Sequence, residues 1–297
     1  MKTPKGKGTG CFHFFIGENM KRELKTLKNK FEKQQIDLSD FDWIVCEVCG
    51  CSRAEVETVV PNAKQLSKIN KMAKKRLQHV PLAQIIHSRN FYGLDLYINK
   101  HVLIPRFETE GLCELISKTI PTNVLGEVCG LDLGTGSGAI PVALNKLFGY
   151  KMTAVDISRR ALSVAKRNSR KYECEIRFIH SNMAEKLYGE RFDFVVSNPP
   201  YILSKDLPKL SKEVIKHEPH LALDGGGDGL QFYRKIVAEA PLVLKDDGYL
   251  FFEIGKGLEA EVMRLMKKDF YKISVEKDLE GVNRYVFGKL KRKREIL

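Results

Sequence analysis

No run of apolar residues in this 297-residue chain approaches the ~18 needed to cross a bilayer. The only hydrophobic stretch near the amino terminus, Cys11 to Ile16, is broken by His13 and falls short of the ~7–15 apolar residues of a secretory signal. A soluble, unexported protein is therefore expected. Cysteine is also scarce: seven residues, an odd number at irregular spacings, are poor material for a disulfide framework and fit a reducing cytoplasm. There is no internal repeat and no long low-complexity tract. What is present is an ordinary globular mixture, 43% apolar and 29% charged, long enough to bury a core without staples. Fifty Lys and Arg against 37 Asp and Glu give it a formal charge of +13, a basic tilt that suits an acidic partner or a solvated surface.

Residues 1–19 mix glycine, lysine and a small aromatic cluster without a sustained period and are expected to be a disordered lead. Met20 opens a helical pattern and is a candidate start residue. Helical periodicity then continues to about residue 80. Within it, Leu66, Ile69, Ala73 and Leu77 share one face while Lys64, Lys68, Lys71 and Lys75 share another, as in one amphipathic helix. Residues 20–80 are thus expected to form a small helical domain, and 81–110 a β-hairpin linker, because short strand-like pieces begin at Phe91. From 111 to 297 helix and strand alternate. Strands are expected near 128–133, 151–155, 175–180, 192–197, 248–254, 271–276 and 283–288, with helices near 108–119, from 138, and at 158–171, 229–244 and 257–268. Such alternation predicts an α/β fold with a doubly wound, mostly parallel sheet.

The segment Leu131-Asp132-Leu133-Gly134-Thr135-Gly136-Ser137-Gly138 follows a strand and opens a helix, where unpaired N–H groups and the helix dipole can hold an anion. Asp156, at the end of the next strand, stands where an acid accepts hydrogen bonds from ribose hydroxyls. Gly134-x-Gly136-x-x-Ala139 with Asp156 also satisfies the dinucleotide fingerprint, so a nicotinamide-dependent dehydrogenase has to be weighed. Two features oppose it. Asp132 would repel a pyrophosphate but could pair with the ammonium of a methionine moiety, and Gly138 completes the tighter G-x-G-x-G spacing associated with S-adenosylmethionine (SAM) sites.

A later strand ends in Val195-Val196-Ser197-Asn198-Pro199-Pro200-Tyr201. Two prolines stiffen the loop and leave its carbonyls free of a sheet. The Asn198 amide oxygen and the Pro199 carbonyl are two acceptors suited to a planar –NH2 group, and Tyr201 can close one face over it. The lone pair of such a nitrogen is delocalised, so attack on a sulfonium methyl needs alignment more than acid or base help. Asn198 is read as an orienting acceptor. The plainer reading, a Pro-Pro strand terminator with a turn-capping Asn, loses weight beside the upstream glycine motif.

DLGTGSG at 132–138, AVDIS at 154–158 and SNPPYI at 197–202 resemble class I SAM-dependent methyltransferases acting on exocyclic or amide nitrogens. The flanks VPLAQIIHSRNFYGLDLYINKHVLIPRFETE at 80–110 and HEPHLALDGGGDGLQFYRKI at 217–236 resemble the HemK/PrmC family, densely from about residue 80 to 288. That resemblance implies a Rossmann-like, mostly parallel seven-stranded sheet with a small N-terminal helical domain; the basic face of residues 20–80 makes that domain the expected docking module for the substrate. It implies SAM as cofactor and methylation of the N5 amide nitrogen of the glutamine in the Gly-Gly-Gln motif of peptide chain release factors. The SAM loop falls on Gly134, Thr135, Gly136, Ser137 and Gly138, the ribose-binding acid on Asp156, and the adenine-side contact on Asn182 or Met183. The substrate clamp falls on Asn198, Pro199, Pro200 and Tyr201, with Asn198 close to both ligands. The chain departs from the family at Asn182, where an acid is usual, and at Phe107, Gln84 and His87, where proline, tyrosine and glycine are usual. The run Pro105-Arg106-Phe107-Glu108-Thr109-Glu110 favours a release factor over a ribosomal protein as substrate. The residues after Tyr201 read as the rest of the sheet, so no DNA partner is expected.

Cys46, Cys49 and Cys51 form C-x-x-C-x-C, but no fourth ligand stands nearby and Asp42–Cys51 reads as an apolar helix, so buried thiols are expected. Pro219 breaks the helix that would align His217 and His220. No metal site is expected. Basic clusters at 20–35, at Lys64–Arg76 and in the tail Lys289–Leu297 read first as solvated surface and second as steering towards an acidic protein or, in proximity to the ribosome, its RNA. A rival reading is an RNA-binding module on a degenerate methyltransferase fold. Another is a methyltransferase for ribosomal protein or nucleic-acid amino groups.

Overall fold

The structure, a computed structural model, describes residues 9–121 and 127–292, with residues 9–19 by their backbone alone. The chain divides into two compact units, one up to Ile86 and one from His87. The division falls inside the stretch expected to be a linker.

The first unit is helical: α1 (Thr9–Lys33), α2 (Leu38–Cys49), α3 (Ala63–Leu77) and the short α4 (Leu82–Ile86). Helix α1 begins inside the lead expected to be disordered, while residues 1–8 lie outside the described residues. An aperiodic segment has no face to pack, yet apart from Gly10 and Gly17 it holds ordinary helix formers, and a helix once nucleated extends at little cost. Asp37 caps α2, accepting from the Ser39 N–H at 2.8 Å, and Gly50 ends it in a left-handed conformation. Asn62 and Gln65 exchange reciprocal 2.9 Å bonds at the start of α3. Leu66, Ile69, Met72 and Ala73 of α3 pack with Leu24, Phe31, Phe41 and Ile44, and Cys46 is buried among them. Lys64, Lys68, Lys71 and Lys75 are exposed. The ends of α2 and α3 are locked by Arg76, whose Nε donates to Asp40 Oδ2 at 2.5 Å in a largely buried pair.

The second unit opens with an antiparallel hairpin, β1 (Ser88–Phe91) and β2 (Leu94–Tyr97). Helix α5 (Glu108–Thr119) follows, then β3 (Cys129–Leu133), α6 (Ala139–Phe148), β4 (Lys151–Asp156), α7 (Arg159–Lys171), β5 (Ile176–His180) and β6 (Phe192–Ser197). After the short α8 (Lys212–His217) come α9 (Gln231–Val243), β7 (Leu244–Glu253), α10 (Glu259–Met266), β8 (Phe270–Lys277) and β9 (Asn283–Leu290). Strand β7 starts earlier than expected because Leu244 pairs with Phe192 before a register shift. The seven strands lie in the order β5-β4-β3-β6-β7-β9-β8, parallel except that β9 runs antiparallel to both β7 and β8.

One face of the sheet buries Leu131, Leu133, Val195, Leu250 and Phe252 against Tyr233, Ile236 and Ala240 of α9 and Val262 and Met266 of α10. Each such large side chain contributes about 1.5–3 kcal/mol on burial. Leu133 pairs with Val155 and Asp132 with Val196, so β3, β4 and β6 end together, and their carboxyl edges carry the loops that hold the expected site residues. Among the described residues no helix is long and apolar enough to cross a membrane.

Candidate active site

Two adjoining cavities occupy that edge. One, of about 160 Å³, is lined by Gly134, Gly136, Asp156, Asn182, Met183 and Asn198, together with His101, Leu103 and Phe232. The other, of about 180 Å³, is lined by Asn198, Pro199, Pro200 and Tyr201, together with Arg106, Leu223 and Glu253. Leu103, Asn198, Pro200 and Ala222 line both. A group in the first cavity and a group in the second would thus meet at Asn198. Thr135, Ser137 and Gly138 are in the glycine turn but line neither cavity.

The turn is held by bonds of its own backbone N–H groups. The Gly134 and Thr135 N–H groups both donate to the Val155 carbonyl at 2.9 Å, and Gly138 N–H donates to Thr135 O at 2.9 Å. Gly136 N–H donates to Asp156 Oδ2 at 2.9 Å, and Ser158 N–H to Asp156 Oδ1 at 2.7 Å. Those four N–H groups of the turn are spent inside the protein and hold the turn itself. The glycines also serve the backbone. Gly138 has φ +80°, and a Cβ there would stand 2.9 Å from Ala165 Cβ, so it lets α6 pass close to α7.

Asp132 lies behind the turn, 1% exposed, and among the described residues neither of its carboxylate oxygens nor the Thr135 hydroxyl makes a hydrogen bond of standard geometry. Burial pushes its carboxyl up to about 7; the nearby Thr135 hydroxyl opposes this, and the Asp156 charge adds to it. A buried acid without a partner is costly, and a cation nearby would relieve it. Burial also raises Asp156, against its two backbone hydrogen bonds.

On the floor between the cavities, Asn198 Nδ2 donates to Thr109 Oγ1 at 3.2 Å, which leaves the Asn198 amide oxygen as its open acceptor. Tyr201 is enclosed by glycines. A Cβ on Gly225 would lie 2.6 Å from Tyr201 Cα, one on Gly229 2.6 Å from Tyr201 O, and one on Gly255 2.8 Å from its ring. Arg106 and Glu218 close the side: Glu218 accepts from the Ile104 N–H at 3.1 Å and from Arg106 at 2.6 Å. Asn182 Nδ2 donates to Glu185 Oε1 at 2.7 Å, and Met183 takes a left-handed φ of +52°.

Several residues that hold this arrangement have no local motif. Asn168, fully buried, accepts from Tyr97 N–H at 2.7 Å and donates to Tyr97 O and Ser137 O, tying the hairpin to the glycine turn. The hairpin therefore belongs to the second unit. Ser197 Oγ donates to Leu133 O at 2.6 Å, joining the ends of β6 and β3. Thr109 and Glu253 complete the group around Asn198. The departures also find their places: His87 adopts φ +58°, a conformation natural to glycine, with Nδ1 3.0 Å from Ile98 O, whereas Phe107 is exposed and Gln84 is buried in α4.

The sheet order, the antiparallel β9 and a glycine turn at the end of β3 define a class I SAM-dependent methyltransferase fold. Residues 112–230 match the family described as Methyltransferase small domain. A solved methyltransferase from Pyrococcus furiosus aligns over 77% of this chain and 100% of its own at a TM-score of 0.51 and 18% identity, a likeness of fold. The chain is 34% identical over 254 residues to a release factor glutamine methyltransferase of Geobacter sulfurreducens, covering 84% of this chain and 88% of that one. It is 36% identical over 254 residues to a bifunctional methyltransferase of Rickettsia felis, covering 76% of this chain but only 48%, about half, of that longer protein. The chain belongs to the HemK/PrmC family of release factor glutamine methyltransferases.

Proposed function

We propose that this protein transfers a methyl group from SAM to the side-chain amide nitrogen of the glutamine in the Gly-Gly-Gln motif of peptide chain release factors, in the cytoplasm. The observation that carries the reading is the pair of cavities meeting at Asn198, one with the buried acid Asp132 behind its glycine turn and one walled by Asn198 to Tyr201. The donor set fits SAM. Asp156 would accept from the ribose hydroxyls, the Gly134–Gly138 turn would carry the backbone past the cofactor, and the Asp132 carboxylate would balance the ammonium group. Asn182 and Met183 would flank the adenine, the Asn182 amide oxygen being free to accept because its nitrogen is held by Glu185.

When bound, SAM supplies an electrophilic methyl on a positively charged sulfur. The protein's part is alignment. The Asn198 amide oxygen and the Pro199 carbonyl accept the two N–H bonds of the glutamine amide, and Tyr201 closes the face opposite the methyl, so the nitrogen lone pair lies along the line of attack. Holding reactants in this way lowers a barrier by up to about 7–11 kcal/mol. The fixed acceptors also stabilise positive charge developing on nitrogen, until one of its two protons passes to solvent to leave the neutral N-methyl amide. The exposed lysines of α3 are proposed as the docking face for the protein substrate.

The test is transfer of labelled methyl from SAM to a purified release factor, beside a factor whose motif glutamine is replaced by alanine. Label in the first alone supports the reading. Label in neither, with SAM bound, would point to another acceptor.

A further inference from the structure

Among the described residues Glu253 is the one carboxyl lining the acceptor cavity, and the proposed alignment gives it no work. It ends β7 beside the end of β6, where Phe252 pairs with Ser197, and is 2% exposed. The Thr109 hydroxyl and the Asn198 amide, joined to each other at 3.2 Å, both favour its charged form. Yet its Oε2 atom is buried without a hydrogen bond of standard geometry. Such contacts are often long in a ligand-free site and tighten in the complex.

We infer that Glu253 is a positioning residue for the methyl transfer: through Thr109 and the Asn198 Nδ2 group it fixes which way the Asn198 amide faces. An ionised carboxylate can only accept hydrogen bonds. Placed behind Asn198 with the Thr109 hydroxyl, it draws the amide nitrogen to its own side and leaves the amide oxygen for the acceptor nitrogen. Protonation of Glu253 turns it into a donor, and the opposite amide flip then becomes competitive. The inference rests on the reading of Asn198 as the orienting acceptor.

The surroundings make Glu253 the titrating group in this cavity wall. Burial pushes its carboxyl up to about 7, the Arg284 guanidinium of β9 favours the charged form, and Glu108 of α5 opposes it. The phenols of Tyr201, Tyr233 and Tyr285 and the Cys113 thiol are all pushed above their ordinary values by burial and stay neutral. Tyr233 donates to the Glu253 backbone carbonyl at 3.0 Å, and Tyr285 to the Glu108 carbonyl at 2.6 Å. Arg106 lines the same cavity but is held by Glu218.

The experiment measures kcat, KM for a release factor, SAM affinity and the pH profile of kcat at saturating SAM for the full chain. Glu253→Ala, Glu253→Gln, Thr109→Val and Asn198→Ala are compared. In the unaltered enzyme kcat should rise with pH through about 7 and level off. Glu253→Ala should lose on the order of 10²-fold in kcat with SAM affinity kept. Glu253→Gln, whose amide carries a donor as the protonated acid does, should show a lowered kcat that no longer rises with pH, and Thr109→Val should fall between the unaltered enzyme and Glu253→Ala. The other carboxyl near 7, Asp132, is separated by repeating the profile in Asp132→Asn. The inference is overturned if Glu253→Gln keeps the original pH profile, if Glu253→Ala changes kcat less than about twofold, or if its effect is on SAM affinity. If Asn198→Ala is itself fully active, the reading of the site fails instead.

Discussion

Replacing Gly225 with alanine tests whether Tyr201 is held where the chemistry needs it. The new Cβ would stand 2.6 Å from Tyr201 Cα, 2.8 Å from its carbonyl carbon and 2.9 Å from Pro200 O, all backbone atoms that cannot swing aside. The two segments run side by side, with Gly225 N–H donating to Ile202 O at 2.8 Å and Ile202 N–H to Leu223 O at 3.0 Å. Restoring ordinary carbon contacts of ~3.5–4.0 Å requires a shift of roughly 1 Å between them. Overpacking of this size costs about 1–3 kcal/mol, which a folded domain survives. A misplacement of about 1 Å at a reacting group can cost on the order of 10² in rate. Gly225→Ala should therefore remain folded, bind SAM as before, and lose about 10²-fold in kcat for release-factor methylation. Gly255→Ala, which meets the Tyr201 ring from another side, should lose less because a ring can tilt. Gly227, with nothing within 4 Å of a built Cβ, is the control and should tolerate alanine. A Gly225→Ala enzyme within twofold of full rate and with an unchanged melting temperature would refute the reasoning.

If Asp132 balances the SAM ammonium, binding must release the proton it holds in the free protein. SAM affinity, measured by titration calorimetry, should then rise with pH between about 6 and 7.5, below the ~7.7–8.0 at which an α-ammonium deprotonates. Asp132→Asn should bind more weakly and lose that rise; a pH-independent affinity in the unaltered protein would remove Asp132 from the site. Asn182→Ala should weaken SAM by about 1 kcal/mol, close to fivefold, through loss of the adenine acceptor, and unchanged affinity would assign adenine recognition to the backbone. In the first unit, Asp40→Ala removes the acceptor of Arg76 Nε, while Arg76 keeps its bond to Val80 O, at a cost of about 1–3 kcal/mol. Protection of α2 and α3 amides in hydrogen exchange should fall while SAM binding by the second unit is kept, and undiminished protection would show that the ion pair carries little.

The sheet was legible because its strands are short apolar runs alternating with strongly periodic helices; α7 was expected at 158–171 and spans Arg159–Lys171. The residues at the cavities were legible for a related reason, since glycine at Gly134–Gly138 and proline at Pro199–Pro200 mark backbone that must turn at a strand end. Their supports were not. Asn168 reaches Tyr97 across 71 residues, Thr109 reaches Asn198 across 89, and Ser197 reaches Leu133 across 64. Nothing in the local sequence distinguishes such a buried asparagine, threonine or serine from one in solvent. The bonds inside the glycine turn were equally invisible: the pattern marks backbone that turns at a strand end without telling that Val155 O takes the Gly134 and Thr135 N–H groups. The boundary between the units was displaced for a similar reason: the hairpin reads as a linker until its bond to Asn168 assigns it to the second unit.

The central claim is that this chain methylates one amide nitrogen, aligned by Asn198. It is tested most directly by fragment mass spectrometry of a release factor treated with SAM and either the unaltered enzyme or Asn198→Ala. The account predicts one added methyl on the glutamine of the Gly-Gly-Gln motif with the unaltered enzyme and none with the variant, both proteins binding SAM. A methyl on any other residue, or equal modification by Asn198→Ala, would contradict it.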